Sequence, residues 1–227
     1  MSRLLLAFDC SGPSCSAALA RDGAILAHRF EARPRGQAER LLPMLGEVLG
    51  EAGLGYADLA ALAVTLGPGS FTGLRIGLAT ARALALAAGL PIVGRSTFEV
   101  LAAAAAPERA EAENLLVAID SQRGDLFVQV FPRQGAPEPP FAADPAAAAR
   151  RAGRSGAPLL LAGSGALRLG EALDALGENC RIGQAVLPDA ATLAILAAEA
   201  PLPALGSPPP RAVYLRPPDT TAAAAGP

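Results

Sequence analysis

The chain has 227 residues, 52% of them hydrophobic and 18% charged, which suffices for one large domain or two small ones with buried cores. All 19 basic residues are arginine and there is one histidine, so a P-loop lysine, a Schiff-base amine and any two-histidine metal site are excluded. A formal charge of −2 and a pI of about 5.5 supply no net positive field, which disfavours direct tRNA or DNA binding by this chain alone.

Residues 3–9 form an apolar run closed by Asp9, the pattern of a buried strand. A Ser-Gly-Pro-Ser turn leads to a second strand at 15–20, and Arg21-Asp22-Gly23 predicts a hairpin into a third strand at 24–31, which carries the lone His28. A helix follows at about 38–52, with Leu41, Leu42, Leu45, Val48 and Leu49 on one face and Pro43 in its first turn. A strand at 60–66 runs into Gly67-Pro68-Gly69-Ser70-Phe71-Thr72-Gly73, then a helix to about 88, a short strand at 90–93 and a helix at 97–106 stopped by Pro107. This β-β-β-α-β-α-β-α order suits a mixed sheet with helices packed against it.

The second half begins like the first. Leu116-Val117-Ala118-Ile119-Asp120 matches Leu5-Leu6-Ala7-Phe8-Asp9, and a second strand follows at 126–131, which points to an internal duplication. Residues 135–140 and Pro145 read as a loop, 158–162 as a strand into Gly163-Ser164-Gly165, and 167–176 as a helix. Another helix opens at Asp189 and Thr192 and runs to Glu199, a last strand lies at 212–216, and the low-complexity tail from Pro217 is expected to be disordered. The lobes divide at 1–106 and 107–216. Three cysteines and no signal-peptide pattern suggest a reducing cytoplasm, and Arg82, Gly89 and Pro91 break the longest apolar candidate for a membrane span.

Each motif carries two readings. Asp9, Ser11 and Ser14 can wrap a phosphate and hold a magnesium ion, or simply hydrogen-bond their own turn. The glycine-rich run at 67–73, with Ser70 or Thr72 as N-cap, is either an anion cradle or a structural elbow. Gly73, Gly77, Ala81, Ala85 and Gly89 recur every fourth residue, a smooth stripe that admits a partner helix or packs on its own sheet. Glu108, Glu111 and Glu113 read as a solvated face, Gly163-Ser164-Gly165 as a turn, and Cys10 with Cys15 as too few ligands for a metal.

Residues 3–94 resemble the bacterial TsaB (YeaZ) family of tRNA threonylcarbamoyladenosine biosynthesis proteins. The likeness rests on Leu6-Ala7-Phe8-Asp9-Cys10-Ser11, on Glu39-Arg40-Leu41-Leu42-Pro43-Met44, and above all on Gly67 through Gly77. Asp120 with Arg123-Gly124, and Val213-Tyr214-Leu215-Arg216, extend it through most of the chain.

The resemblance implies an α/β actin-like ATPase (ASKHA) fold of two lobes. It also implies a non-catalytic subunit that binds and activates TsaD, works with TsaE and meets tRNA only through the complex; the sticky helix face leaves both monomer and homodimer open when the chain is alone. The pairing surface would be the first two helices, here Leu41, Leu42, Leu45, Val48, Leu49, Gly73, Leu74, Gly77, Leu78, Ala81, Leu84 and Ala85. Asp9, Ser11, Ser14, Gly69, Ser70 and Asp120 would be vestiges of nucleotide loops, with no catalytic residue, metal or cofactor in this chain and ATP and metal in the partners. The alternative is a small-molecule kinase or acyltransferase of the same fold that uses Asp9 and Asp120 with Mg-ATP.

Overall fold

Buried aliphatic runs build two sheets of the same design. A computed structural model describes residues 3–153 and 156–216, so the tail from 217 lies outside the described residues. In the first sheet β1 (Leu4–Asp9), buried at every position, is central. It is flanked by the antiparallel β2 (Ser14–Arg21) and β3 (Ala24–Ala32) on one side and the parallel β4 (Ala61–Thr65) and β5 (Ile92–Arg95) on the other. The β2–β3 turn places Asp22 and Gly23 at φ 53° and 85°, the left-handed pair that a two-residue hairpin favours.

The second sheet repeats this plan. β6 (Asn114–Asp120) is central, β7 (Leu126–Phe131) and β8 (Phe141–Ala143) are antiparallel on one side, and β9 (Leu159–Ala162) and β10 (Cys180–Ile182) are parallel on the other. The duplication read from the two Asp-terminated strands therefore extends to the whole strand order.

Six helices cover the sheets: α1 (Gln37–Glu51), α2 (Phe71–Ala88), α3 (Thr97–Ala105), α4 (Pro145–Ala152), α5 (Ala166–Asp174) and α6 (Ala190–Glu199). Strand alternation decides which side each meets. Leu6 and Phe8 face Leu45 and Val48 of α1 and Ala81 of α2, whereas Leu5 and Ala7 face Leu193, Ala194 and Ala197 of α6. Thus α6, from the second half of the sequence, lies on the first sheet. Phe98 and Leu101 of α3 pack with Leu115, Val117 and Phe127, which ties the sheets together. α2 has the length and mean hydropathy, 1.2, of a short membrane span, yet one face packs on β4 and Arg75 and Arg82 lie on the other.

Three expectations need correction, and two short strands went unread. Pro145 opens α4 rather than a loop, because Asp144 caps it by accepting from Ala147 N and proline suits the first helical position. The three-residue strands β8 and β10 are too short to show periodicity. The expected strand at 212–216 does not form: Val213 N donates to Leu66 O, but no ladder follows the amide-poor Pro208-Pro209-Pro210. Glu113 is buried, not solvated. Its carboxylate accepts from Arg181 at 2.6 and 2.7 Å and from Ala110 N at 2.8 Å, and the guanidinium holds it below the usual carboxylate range.

Removing that carboxylate frees Arg181 and the Ala110 amide together. Glu113→Ala is expected to lower stability by about 1–3 kcal/mol, and Glu111→Ala, which loses only an exposed pair with Arg133, by less than about 0.5 kcal/mol, both measured by urea unfolding.

Candidate functional site

Asp9 ends β1 with no exposed surface. Its two carboxylate oxygens accept from Ser11 N at 3.2 Å each, and the Thr65 hydroxyl donates to Oδ2. Burial pushes its pKa up to about 6, against the lowering effect of the Thr65 and Ser11 hydrogen bonds. Around it Ser11, Ser14, Ser16 and Thr97 are also buried; Ser16 Oγ accepts from Ala190 N at 3.0 Å, and Ser14 Oγ finds no partner among the described residues.

The glycine-rich segment closes this cluster. A Cβ on Gly69 would lie 2.2 Å from Ser11 O and one on Gly73 1.8 Å from Cys10 O, so only glycine allows the loop to rest on the β1–β2 turn. Ser70 N donates to Ser11 O at 2.7 Å, Thr97 N to Gly67 O at 2.8 Å, and Ser70 Oγ accepts from Gly73 N at 3.2 Å as the cap of α2. The elbow reading fits this geometry, since Ser11 N is spent on Asp9 and Ser70 N on Ser11.

Asp120, the equivalent of Asp9, is closed differently. Its Oδ2 accepts from Arg168 at 3.1 Å and its Oδ1 from Gln122 N at 2.8 Å, while Asp120 N donates to Ser164 Oγ at 3.1 Å. Arg168 also donates to Gly124 O at 2.7 Å, so an internal cation stands at this carboxylate. Asp9 and Asp120 share no hydrogen-bond partner. Among the described residues no three His, Cys, Asp or Glu side chains gather as a metal site. His28 is used structurally, with Nε2 2.7 Å from Asp189, the cap of α6. The Cys10 and Cys15 sulfurs lie 3.8 Å apart, and their hydrogen bond raises the Cys10 thiol and lowers that of Cys15.

Most of the expected pairing residues are buried within the chain itself. Leu41, Leu45, Val48 and Leu49 of α1, and Gly73, Leu74, Gly77, Leu78 and Ala81 of α2, are buried; Leu84 and Ala85 are half-buried, and only Leu42 is exposed, at 53%. The small stripe fits α2 against its own sheet, where a Cβ on Gly77 would meet Val64 Cγ2 at 3.5 Å. The outer surface of the helix pair includes Leu42, Gly46 and Gly50 on α1 and Ala79, Ala83 and Leu86 on α2, alongside the exposed Glu39, Pro43 and Glu47 of α1 and Arg75 and Arg82 of α2, with Leu86 88% exposed. Nothing approaches within 4 Å of a Cβ built on Gly46 or Gly50. This second stripe recurs at steps of three and four residues, and helical periodicity shifted along the chain finds it. Beside it, Arg40 joins Glu31 to Glu47 and Arg29 pairs with Glu51, which binds α1 to β3.

Residues 31–136 match the family model described as TsaD: tRNA N6-adenosine threonylcarbamoyltransferase. The tRNA threonylcarbamoyladenosine biosynthesis protein TsaB of Escherichia coli is 42% identical over 129 residues, 57% of this chain and 55% of that protein. The chain thus spans little more than half the length of the curated relatives it matches. The crystal structure of an uncharacterized protein with similarity to peptidase YEAZ from Pseudomonas aeruginosa is 28% identical and superposes with a TM-score of 0.78, covering 94% of this chain and 100% of that one. Component A of (R)-2-hydroxyglutaryl-CoA dehydratase from Acidaminococcus fermentans, 14% identical, shares the fold with a TM-score of 0.52, covering 87% of this chain and 98% of that one. The architecture is the actin-like ATPase fold.

Two predictions follow from the closed cleft. Folded Asp9 keeps its proton to about pH 6, whereas its ordinary value is 3.8, so the folded state binds more protons between these values and stability falls as pH rises from about 4 to 6. Asp9→Asn is expected to remove this part of the pH dependence and to raise stability at pH 7 by about 1–3 kcal/mol, read from thermal unfolding across pH. Gly73→Ala should prevent stable folding, whereas Gly46→Ala in the open helix face should raise stability by up to about 1 kcal/mol, both followed by circular dichroism.

Proposed function

Because the chain belongs to the TsaB/YeaZ family, we propose that it serves tRNA threonylcarbamoyladenosine synthesis as a non-catalytic subunit that docks on TsaD and holds that enzyme in its active state. The observation that carries this reading is the uncovered outer face of α1 and α2. Leu42 and Leu86 stand in solvent beside the small residues Gly46, Gly50, Ala79 and Ala83, which lets another helix pair approach closely while the two leucines become buried. The match of residues 31–136 to the transferase family supports a partner with its own version of this helix pair, so that the two proteins meet helix face to helix face.

The chemistry of the two loops supports a role without catalysis. An Mg-nucleotide needs free backbone donors and a carboxylate open to the metal. Asp9 is sealed under the 67–73 loop and Asp120 is neutralised by Arg168, so these residues do not fit that group. ATP and metal therefore belong to TsaD and to TsaE, the second expected partner. tRNA is met through the complex, and without TsaD the same helix face joins two copies of this chain. A reducing cytoplasm keeps Cys10 and Cys15 as thiols.

Leu86→Arg and Leu42→Arg change only the outer face, unlike an arginine at position 77, which would enter the core against Val64. Each is expected to weaken the complex with TsaD by about two orders of magnitude in calorimetry while leaving the melting temperature of the isolated chain unchanged. In a reconstituted transfer reaction the wild-type chain should be required and inert alone. Normal binding by both variants sinks the docking reading, and threonylcarbamoyl transfer or ATP turnover by the isolated chain sinks the non-catalytic one.

A further inference from the structure

Three guanidiniums converge where α2 meets the 211–214 segment. Arg75, Arg82 and Arg211 line a groove of about 450 Å3 together with Ala79, Ala212 and Tyr214. Among the described residues none of the three pairs with a carboxylate. Arg75 lies over the Phe71 ring with its Cζ 3.9 Å from the centroid, Arg82 donates only to Pro210 O at 3.0 Å, and Arg211 makes no hydrogen bond. Arg29, Arg40, Arg168, Arg181 and Arg216 hold carboxylates, whereas Arg3 and Arg109 are spent on backbone carbonyls. A cluster of uncompensated like charges in a protein of formal charge −2 repels itself until a counter-charge arrives.

The position of the groove indicates what supplies that charge. Arg75, Ala79, Arg82 and Leu86 follow one another at helical spacing along the outer side of α2, so the groove continues into the exposed face that carries Leu86. Arg75 and Arg82 are two helical turns apart, about 10 Å, the spacing of two carboxylates seven residues apart on a helix lying alongside. Guanidinium forks bind carboxylates with two parallel hydrogen bonds, and the Phe71 ring already orients Arg75. The alanines beside the arginines suit a closely approaching helix. A polynucleotide needs a longer track of positive charge than three residues provide.

We propose that Arg75, Arg82 and Arg211 form an ionic arm of the docking face and receive a partner helix bearing acidic residues about two turns apart. This rests on the docking reading above and names the chemistry of its partner. The arm sets register and association rate, while Leu42 and Leu86 supply the apolar contact.

The test measures binding of the full chain to the purified threonylcarbamoyltransferase of the same organism, by calorimetry at about 50 and about 300 mM NaCl. The variants are Arg75→Gln/Arg82→Gln/Arg211→Gln and Leu86→Arg, each checked for an unchanged melting temperature. The triple variant is expected to bind about tenfold more weakly at low salt and to lose most of the salt dependence seen in the wild type. Unchanged affinity and salt dependence in the triple variant, with binding lost in Leu86→Arg, overturns the ionic arm and leaves the docking reading standing. Undiminished binding in both variants overturns the two together. A parallel titration of the isolated chain with fluorescent tRNA covers the other polyanion: tRNA binding that vanishes in the triple variant, with transferase binding intact, also overturns the proposal.

Discussion

The contact of Gly69 and Gly73 with the carbonyls of Ser11 and Cys10 is the constraint on which the first lobe depends. It fixes the start of α2 against the end of β1, so the helix lies flat on β4 with Gly77 and Ala81 beneath it. The same contact seals Asp9, and the pKa of that carboxyl, pushed up to about 6, reflects how completely water is removed. A side chain at either glycine would have to push two backbones apart, and α2, the cap at Ser70 and the burial of Asp9 would shift together. The residues that look most like a phosphate loop are therefore the residues that fill the cleft.

The duplicated sheets have diverged at one equivalent point. Asp9 and Asp120 end the two central strands, yet one is fully desolvated beside a glycine loop and the other is partly buried and paired with Arg168. The first solution uses shape and the second uses charge. Both satisfy the carboxylate within the chain, and neither leaves an oxygen aimed at an empty cleft. α6 and α3 add a second asymmetry: α6 returns to cover the far face of the first sheet, and α3 is shared with the second. The first sheet thus has α1 and α2 on one side and α6 on the other, and the α1–α2 side carries Leu86, more exposed than Ile195 of α6, on a helix surface with several glycines and alanines.

Strong periodicity made β1 to β5, α1, α2 and the internal repeat legible before the structure was seen. The likeness to the TsaB/YeaZ family was legible in the run from Gly67 to Gly77, where close backbone approach dictates glycine at positions 69 and 73. What stayed hidden had physical causes. β8 and β10 have three residues each, less than one full alternation on each face. α4 begins at a proline that reads equally as a loop. Glu113 sits in an acidic stretch, and its partner Arg181 is distant in sequence. Which face of α2 is buried stayed hidden for a compositional reason: in an alanine-rich helix both faces show small residues every fourth position. Only the sheet decides that Gly73, Gly77 and Ala81 turn inward while Ala79 and Ala83 turn outward.

Closure of the cleft and exposure of the helix face are one structural fact. The 67–73 loop is also the N-terminal lead into α2, so a ligand entering between Gly69 and Ser11 would have to lift the first turn of that helix. Lifting it would carry Phe71 and Arg75 with it and disturb the Phe71–Tyr214 contact, with centroids 5.8 Å apart, that holds the 211–214 segment beside α2. An open cleft and an intact α1–α2 platform are therefore alternatives for this chain. Interdigitated glycine and carbonyl contacts have no intermediate position, since the packing is either made or broken. A protein that must present a fixed surface to a larger relative is served by the closed alternative. Here the closure comes from backbone contacts that no change of rotamer can loosen.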